Sequence, residues 1–463
     1  MSLLGIDLGS GSCKGVVFDN SGVSLAQETR EYSTYSLHPK MAEMDADCFW
    51  EAVVFICRQL AEKVGGQNIE ALCVSSHGET IIPVDKDGNA ISPAIMNSDN
   101  RADEQARRWE RIPGRNRIYE ITGLPLHAMY SLNKILWLKE HEPELYSRAE
   151  RFVSVGDFIL QKLGLPPYTD YSLASRTMAF DIRKKDWSEE ILQYAGIDRS
   201  RFAIPMPAGQ LVGKLSASTA SLLGLRAGTA VALGGHDQPC GALGSGVMNS
   251  GEVADSAGTY ECLTAVSSEP VNTPEALSFS LNSYCHVVPD RYVTLAFFPA
   301  GIVSRWFVEQ LCFEDEANAR RVNKRVFEIL DAKMQEVCPG PSGLLMTPHF
   351  IGSGNPYFDV SAAGALYGLT PQVTRHHLYK AIYEGIACEL RINTGVLEKI
   401  CGVFSAVQIS GGNARSRFTV ELRAAMTQKA FQILECSDTV CLGAAMLAGV
   451  ACGVYASAQE AAE

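Results

Sequence analysis

Short apolar runs open the chain, and further on apolar residues step by three and four, so the change of period separates strands from helices. Residues 3–8, 14–19 and 23–29 predict a strand meander with turns at Gly9–Ser12 and Asn20–Gly22. Asp45 is then expected to cap a helix whose apolar positions are Phe49, Val53, Ile56, Leu60 and Val64. Residues 69–76 predict a buried strand running into Ser75-Ser76-His77-Gly78-Glu79. A strand and turn over 81–89 lead on to 94–101. Strand, helix and strand in succession imply a mixed α/β layer.

The stretch from 105 to 205 predicts irregular, mainly helical structure, punctuated by Pro166-Pro167 and by Pro205 and Pro207. Val231–Gly235 is a short buried strand entering His236-Asp237-Gln238-Pro239. The second half then repeats the plan of the first. Strands are expected over 253–266 and 279–298, and a helix over 303–312. Leu378, Ile382, Ile386, Leu390, Asn393, Leu397 and Ile400 fall on one helical stripe. A strand at 406–409 enters Gly411-Gly412-Asn413-Ala414-Arg415-Ser416 and another helix. Two related halves fit this pattern better than an array of short repeats.

Composition narrows the class. The 463 residues exceed one ordinary core, and 46% of them are hydrophobic against 20% charged. A net charge of −12 without a basic cluster argues against nucleic-acid binding. The fourteen cysteines form no CxxC pair, so they predict buried free thiols in a reducing compartment. The opening residues predict a strand rather than a charged-then-apolar leader, and no apolar run nears membrane-spanning length. A cytoplasmic protein with no membrane partner is expected.

The turn Asp7-Leu8-Gly9-Ser10-Gly11-Ser12-Cys13-Lys14 offers backbone amides, hydroxyls and an ammonium to an anion, with a carboxylate alongside suited to magnesium. A looser echo follows at Val253–Tyr260. There is no GxxxxGK[ST] run, and the opening glycines lead into a strand rather than a helix, which excludes both a P-loop and a Rossmann fingerprint. These segments, with Asn97–Arg101, Ser131–Pro143, Thr169–Ser175, Gly364–Thr370 and Gly443–Gly449 in order, resemble the FGGY carbohydrate kinases. That family lies within the actin, hexokinase and heat-shock ATPase fold group.

The resemblance implies two actin-like (ribonuclease H-like) α/β domains, 1–244 and 245–463, each a mixed sheet flanked by helices, with the active site in the cleft between them. It implies ATP and Mg2+ as cofactors and a small sugar or polyol as acceptor, and admits a homodimer. Gly9, Ser10, Ser12 and Lys14 would face the phosphates from one side, and Gly258 and Thr259 from the other. Gly411, Gly412, Asn413 and Arg415 would meet the adenosine, and Asp7 the metal. Asp237 takes the position of the catalytic base, expected to be ionised from an ordinary pKa near 4. His77, Gly78, Asp99, Arg101, His236 and Asp237 would contact the acceptor.

Three departures from the family pattern bear on the acceptor. Asn97 replaces a common tryptophan, His236 a common glycine, and the run before His77 lacks methionine. A xylulose-like ketose is expected first, with ribulose, fuculose-type sugars, erythritol and gluconate as alternatives. A non-metabolic actin-like or chaperone-like ATPase is the competing class. Gly352-Ser353-Gly354-Asn355-Pro356, which departs from the family's GERxP form, receives no role beyond a loop near the cleft.

Overall fold

The computed structural model describes residues 2–36, 38–359 and 361–463. Two six-stranded sheets organise them. The first holds β1 (Ser2–Leu8), β2 (Ser12–Asp19), β3 (Ser24–Glu31), β4 (Ile69–Ser76), β5 (Leu211–Lys214) and β6 (Ala230–Ala232), in the order β5-β6-β4-β1-β2-β3. The second holds β7 (Val253–Ala257), β8 (Tyr260–Ser267), β9 (Asn282–Cys285), β10 (Tyr292–Pro299), β11 (Ala406–Ser410) and β12 (Ala430–Ile433), in the order β9-β10-β8-β7-β11-β12. Their pairing repeats. β1 is antiparallel to β2 and parallel to β4, as β7 is antiparallel to β8 and parallel to β11. This is the two-lobed, mixed-sheet α/β architecture that the sequence predicts.

The helices that concern the site are α1 (Asp47–Val64), α2 (Ser131–His141), α3 (Asp237–Gly244), α4 (Gly301–Leu311), α5 (Val326–Val337), α6 (Arg375–Cys401), α7 (Arg417–Thr427) and α8 (Thr439–Cys452). β1 reads as an unbroken apolar run because both its faces are covered. Leu4, Ile6 and Leu8 join the core that includes Phe49, Val53 and Ile56 of α1, while Leu3 joins that of Ala444 and Leu447 of α8. Gly5 permits the second contact, since a Cβ there would lie 1.8 Å from the Cys441 carbonyl oxygen.

α8 therefore belongs by sequence to the second half but packs on the first sheet and on α3. A Cβ on Gly244 would stand 1.9 Å from the Thr439 carbonyl oxygen, and one on Gly443 2.0 Å from that of Cys240. A single cut of the chain at 244/245 leaves this returning helix on the first lobe. At the opposite side of the seam, β9 presents its outer edge to the first lobe, where the Ser283 amide donates to the Gly123 carbonyl at 2.9 Å.

Two local expectations shift. α1 starts at Asp47, and Asp45, one residue before the N-cap Ala46, accepts from the Asp47 amide at 3.1 Å. The middle of the chain also holds short ladders: 82–84 with 151–153, 168–170 with 204–206, and 180–181 with 186–187. Strands of two or three residues are too short to display a period, so the sequence shows only the helices between them.

Candidate active site

α3 begins at the seam between the lobes, and its first residue is Asp237. Asp237 Oδ1 is buried without a hydrogen-bond partner among the described residues. His236 Nε2 stands 3.2 Å from it, within ion-pair range, yet in a geometry that makes no hydrogen bond. The imidazole is neutral, because burial, assisted by Arg176, holds its pKa well below the ordinary range. Burial first, and then the negative fields of Asp7 and Glu79, push the Asp237 carboxyl up to about 8. This corrects the ordinary pKa near 4 expected from the sequence: in the seam, desolvation favours the neutral acid.

Arg176 is the cation beside this carboxyl. Its Nε donates to Glu79 Oε1 at 2.5 Å and its Nη1 to Asn282 Oδ1 at 3.1 Å. The guanidinium lies 4.9 Å from the ring centroid of Tyr284 and 5.4 Å from that of Tyr130. The Tyr130 hydroxyl also donates to Asn282 Oδ1, at 2.8 Å, and His236 Nδ1 shares a 2.8 Å hydrogen bond with the Tyr284 hydroxyl. Three residues of the first lobe thus grip β9 of the second. Glu79 itself sits in the left-handed region at φ 62, a conformation that costs a non-glycine residue on the order of 1 kcal/mol. Ser131 Oγ and Lys134 Nζ of α2 hold it there by donating to its carbonyl at 3.0 and 3.1 Å.

The histidine and the acidic loop expected at the acceptor lie close by, with their polar atoms engaged. The Leu8 carbonyl, 2.8 Å from His77 Nδ1, can only accept, which places the proton on Nδ1. His77 Nε2 then accepts from the Thr80 hydroxyl at 2.7 Å, and Thr80 Oγ1 accepts from the Asn97 amide at 3.0 Å. Gly78 lets its neighbours close in, since a Cβ would meet Arg176 Cγ at 2.8 Å and His236 Cδ2 at 3.0 Å. Asp99 is fully buried and takes the Arg101 fork, with Nε at 3.0 Å and Nη2 at 2.8 Å, together with the Ala42 amide at 2.7 Å. Arg101 also donates to Glu43 Oε1 at 2.6 Å and lies over the Trp137 ring.

The β1–β2 turn closes through Gly9 N donating to the Ser12 carbonyl at 2.9 Å, and it leaves Ser10 exposed. Lys14, on β2, forms an ion pair with Asp438 at the start of α8. Asp7 Oδ1 has no partner among the described residues, and burial raises the carboxyl to about 7 against the lowering effect of Lys14. A desolvated carboxylate oxygen without a donor suits a hard dication. Among the described residues, no group of three or more His, Cys, Asp or Glu side chains could hold a metal ion. A magnesium ion here would take its remaining oxygens from phosphates and water.

Across the seam, a cavity of about 400 Å3 brings together Gly258, Thr259, Gly412, Asn413 and Arg415, five of the residues expected to meet ATP. Gly411 shapes its edge: φ is 95°, and a Cβ would crowd the Ala257 carbonyl oxygen at 2.8 Å. Gly301, at the N-terminus of α4, donates to the Gly258 carbonyl at 3.1 Å and seats the β7–β8 turn. Asp331 of α5 accepts from Ser416 Oγ at 2.6 Å and from the Tyr379 hydroxyl at 2.8 Å, so the Gly411–Ser416 turn is tied to α5 and α6. Arg305, Arg325, Tyr379 and Tyr383 also line it and escaped sequence reasoning, as did Glu79, Arg176, Asn282 and Tyr284. Glu79 ends the Ser75–Glu79 run and Arg176 follows Thr169–Ser175. The helix and strand residues carry no local signal.

Comparison with known proteins bears on what such a cleft does. Residues 2–244 match the model for the N-terminal domain of the FGGY family of carbohydrate kinases, and residues 253–452 the model for its C-terminal domain. A gluconokinase of Bacillus subtilis is 26% identical over 458 residues, covering 98% of this chain and 87% of that protein. A xylulose kinase of Staphylococcus epidermidis is 27% identical over 467 residues, covering 100% and 90%. Among solved structures, a ligand-bound xylulose kinase from Lactobacillus acidophilus shares the fold with a TM-score of 0.88 at 24% identity, over 99% of this chain and 91% of that one.

Proposed function

The chain belongs to the FGGY family of carbohydrate kinases, and on that premise we propose that it passes the γ-phosphoryl group of ATP to a hydroxyl of a small neutral sugar or polyol, a xylulose-like ketose first. The observation that carries this reading is the buried, unpartnered Oδ1 of Asp237 at the seam between the two lobes. In its ionised form Asp237 takes the hydroxyl proton as the acceptor oxygen attacks the γ-phosphorus. The bond from that phosphorus to the β–γ bridging oxygen breaks, and ADP leaves.

Phosphoryl transfer is mostly positioning and charge stabilisation. In this reading Gly9, Ser10, Ser12 and Lys14 hold the phosphates from the first lobe, and Gly258 and Thr259 from the second. Gly411, Gly412, Asn413 and Arg415 hold the adenosine. Asp7 would hold magnesium, which when bound would neutralise phosphate charge. Gly78 and His236 wall the acceptor side, while His77 and the Asp99–Arg101 pair fix the loops that complete it.

A neutral acceptor is favoured because each buried guanidinium nearby already answers a carboxylate, Arg176 that of Glu79 and Arg101 those of Asp99 and Glu43. Asp237, which must be ionised to take the hydroxyl proton, then adds a negative charge that opposes a second anion. A sugar acid is the competing reading. Its support is Arg115, which lines an adjoining cavity of about 280 Å3 with Tyr130 and Asn282. An ADP-coupled screen over ketoses, polyols and sugar acids separates the two. The proposal expects kcat/KM to be highest for a neutral ketose or polyol and to change less than threefold in Arg115→Ala. Gluconate as the best acceptor, with a loss of more than tenfold in Arg115→Ala, overturns it.

A further inference from the structure

Behind the nucleotide cavity lies an ion pair that no local motif contains. Glu261, on β8 two residues past Thr259, accepts the fork of Arg423 on α7, Nε to Oε1 at 2.9 Å and Nη2 to Oε2 at 2.6 Å. Both side chains are buried, at 0% and 2% exposed. Arg423 spends a third donor within α7, its Nη1 meeting the Thr419 carbonyl at 3.1 Å. Thr419 Oγ1 in turn donates to the Asn413 carbonyl at 2.5 Å. Through the covalent frame of Thr419, these contacts link the strand that leaves the β7–β8 turn to a residue lining the cavity.

We propose that the Glu261–Arg423 pair is a positioning device for the donor nucleotide, fixing the β7–β8 turn and the Gly411–Ser416 turn at the separation that one ATP molecule spans. This rests on the nucleotide reading of the cavity given above. The parallel β7–β11 ladder fixes the two strands only as far as the Ser256–Ser410 pairing, and beyond it no hydrogen bond joins the two turns directly among the described residues. Apolar packing is non-directional and tolerates sliding. A bidentate guanidinium–carboxylate contact does not, because both planes and both distances are specified.

The neighbouring Asp255 is consistent with a cluster built around one ion pair. It is fully buried, and neither carboxylate oxygen has a partner among the described residues. Burial, with Glu261 beside it, pushes its carboxyl well above the ordinary range. That direction favours the neutral acid at Asp255.

Removing one partner of a buried pair leaves an uncompensated charge, whereas replacing both by apolar residues is often neutral for stability. The test therefore uses Arg423→Lys, which keeps the charge but loses the fork, and the double variant Glu261→Leu with Arg423→Leu. ATP binding is read by titration calorimetry, the two KM values by the coupled assay, and folding by the thermal midpoint. The expected result in both variants is a folded protein whose Kd for ATP rises about tenfold while KM for the acceptor stays within twofold. Unchanged ATP affinity in the folded variants overturns the proposal, as does an equal rise in both KM values. Gly412→Val tests the underlying cavity separately, because a Cβ at Gly412 meets nothing within 4 Å and the side chain enters the space beside the turn. If Gly412→Val binds ATP like the wild type, the nucleotide reading fails. If it loses ATP while the pair variants do not, the positioning inference alone fails.

Discussion

A carboxyl that is to accept a proton must first be free of its own, and Asp237 is poised near that boundary. Burial raises it to about 8, and Glu79 contributes a negative field in the same direction. The rate of transfer therefore rises with pH along a limb governed by this group, and Glu79→Gln moves that limb to lower pH. A pH profile of kcat/KM for the acceptor checks it, and an unmoved limb would contradict the coupling. The same shift has a stability consequence. From the unfolded value of 3.8 up to about 8, the folded chain binds more protons at Asp237 than the unfolded chain does, so stability falls as pH rises through that window. Asp237→Asn removes the penalty. Its thermal midpoint at pH 8 should exceed the wild type's, and the advantage should vanish below about pH 4.

Among the elements, the crossing of α3 and α8 depends most on backbone contact. Gly443→Ala places a Cβ 2.0 Å from a backbone oxygen that has no flexible side chain to give way, and the strain costs about 1–3 kcal/mol. Calorimetry checks this, and an unchanged midpoint would show that the helices slide apart freely. These elements also show what sequence can convey. The β1–β2 turn, α1, the stripe of α6 and the Gly411 turn each carry a period or glycine signal within a few residues, and each forms where expected but for the cap of α1, which moves from Asp45 to Ala46. Lys14 pairs instead with Asp438, and Glu261 with Arg423, across separations of 424 and 162 residues. Such partners leave no trace in a local pattern. Residues 105–205 are half legible for a related reason, since their short ladders are defined only by the partner strand.

At the scale of the whole molecule, two of the contacts between the lobes bear most on closure. α8 returns from the second half onto the first sheet, and β9 docks its edge against Gly123 while Tyr130, Arg176 and His236 hold its side chains. Closure is therefore expected to swing on these joints and to bring the two phosphate turns together. Solution scattering should show a smaller radius of gyration with acceptor and a non-hydrolysable ATP analogue together, and an unchanged profile would count against closure. The account stands on Asp237 most of all, and acceptor-dependent ADP release by Asp237→Asn tests it most directly. The predicted result is a loss of about 10²–10⁴-fold in turnover with ATP affinity within twofold of wild type. Full acceptor-dependent turnover in that variant would contradict it.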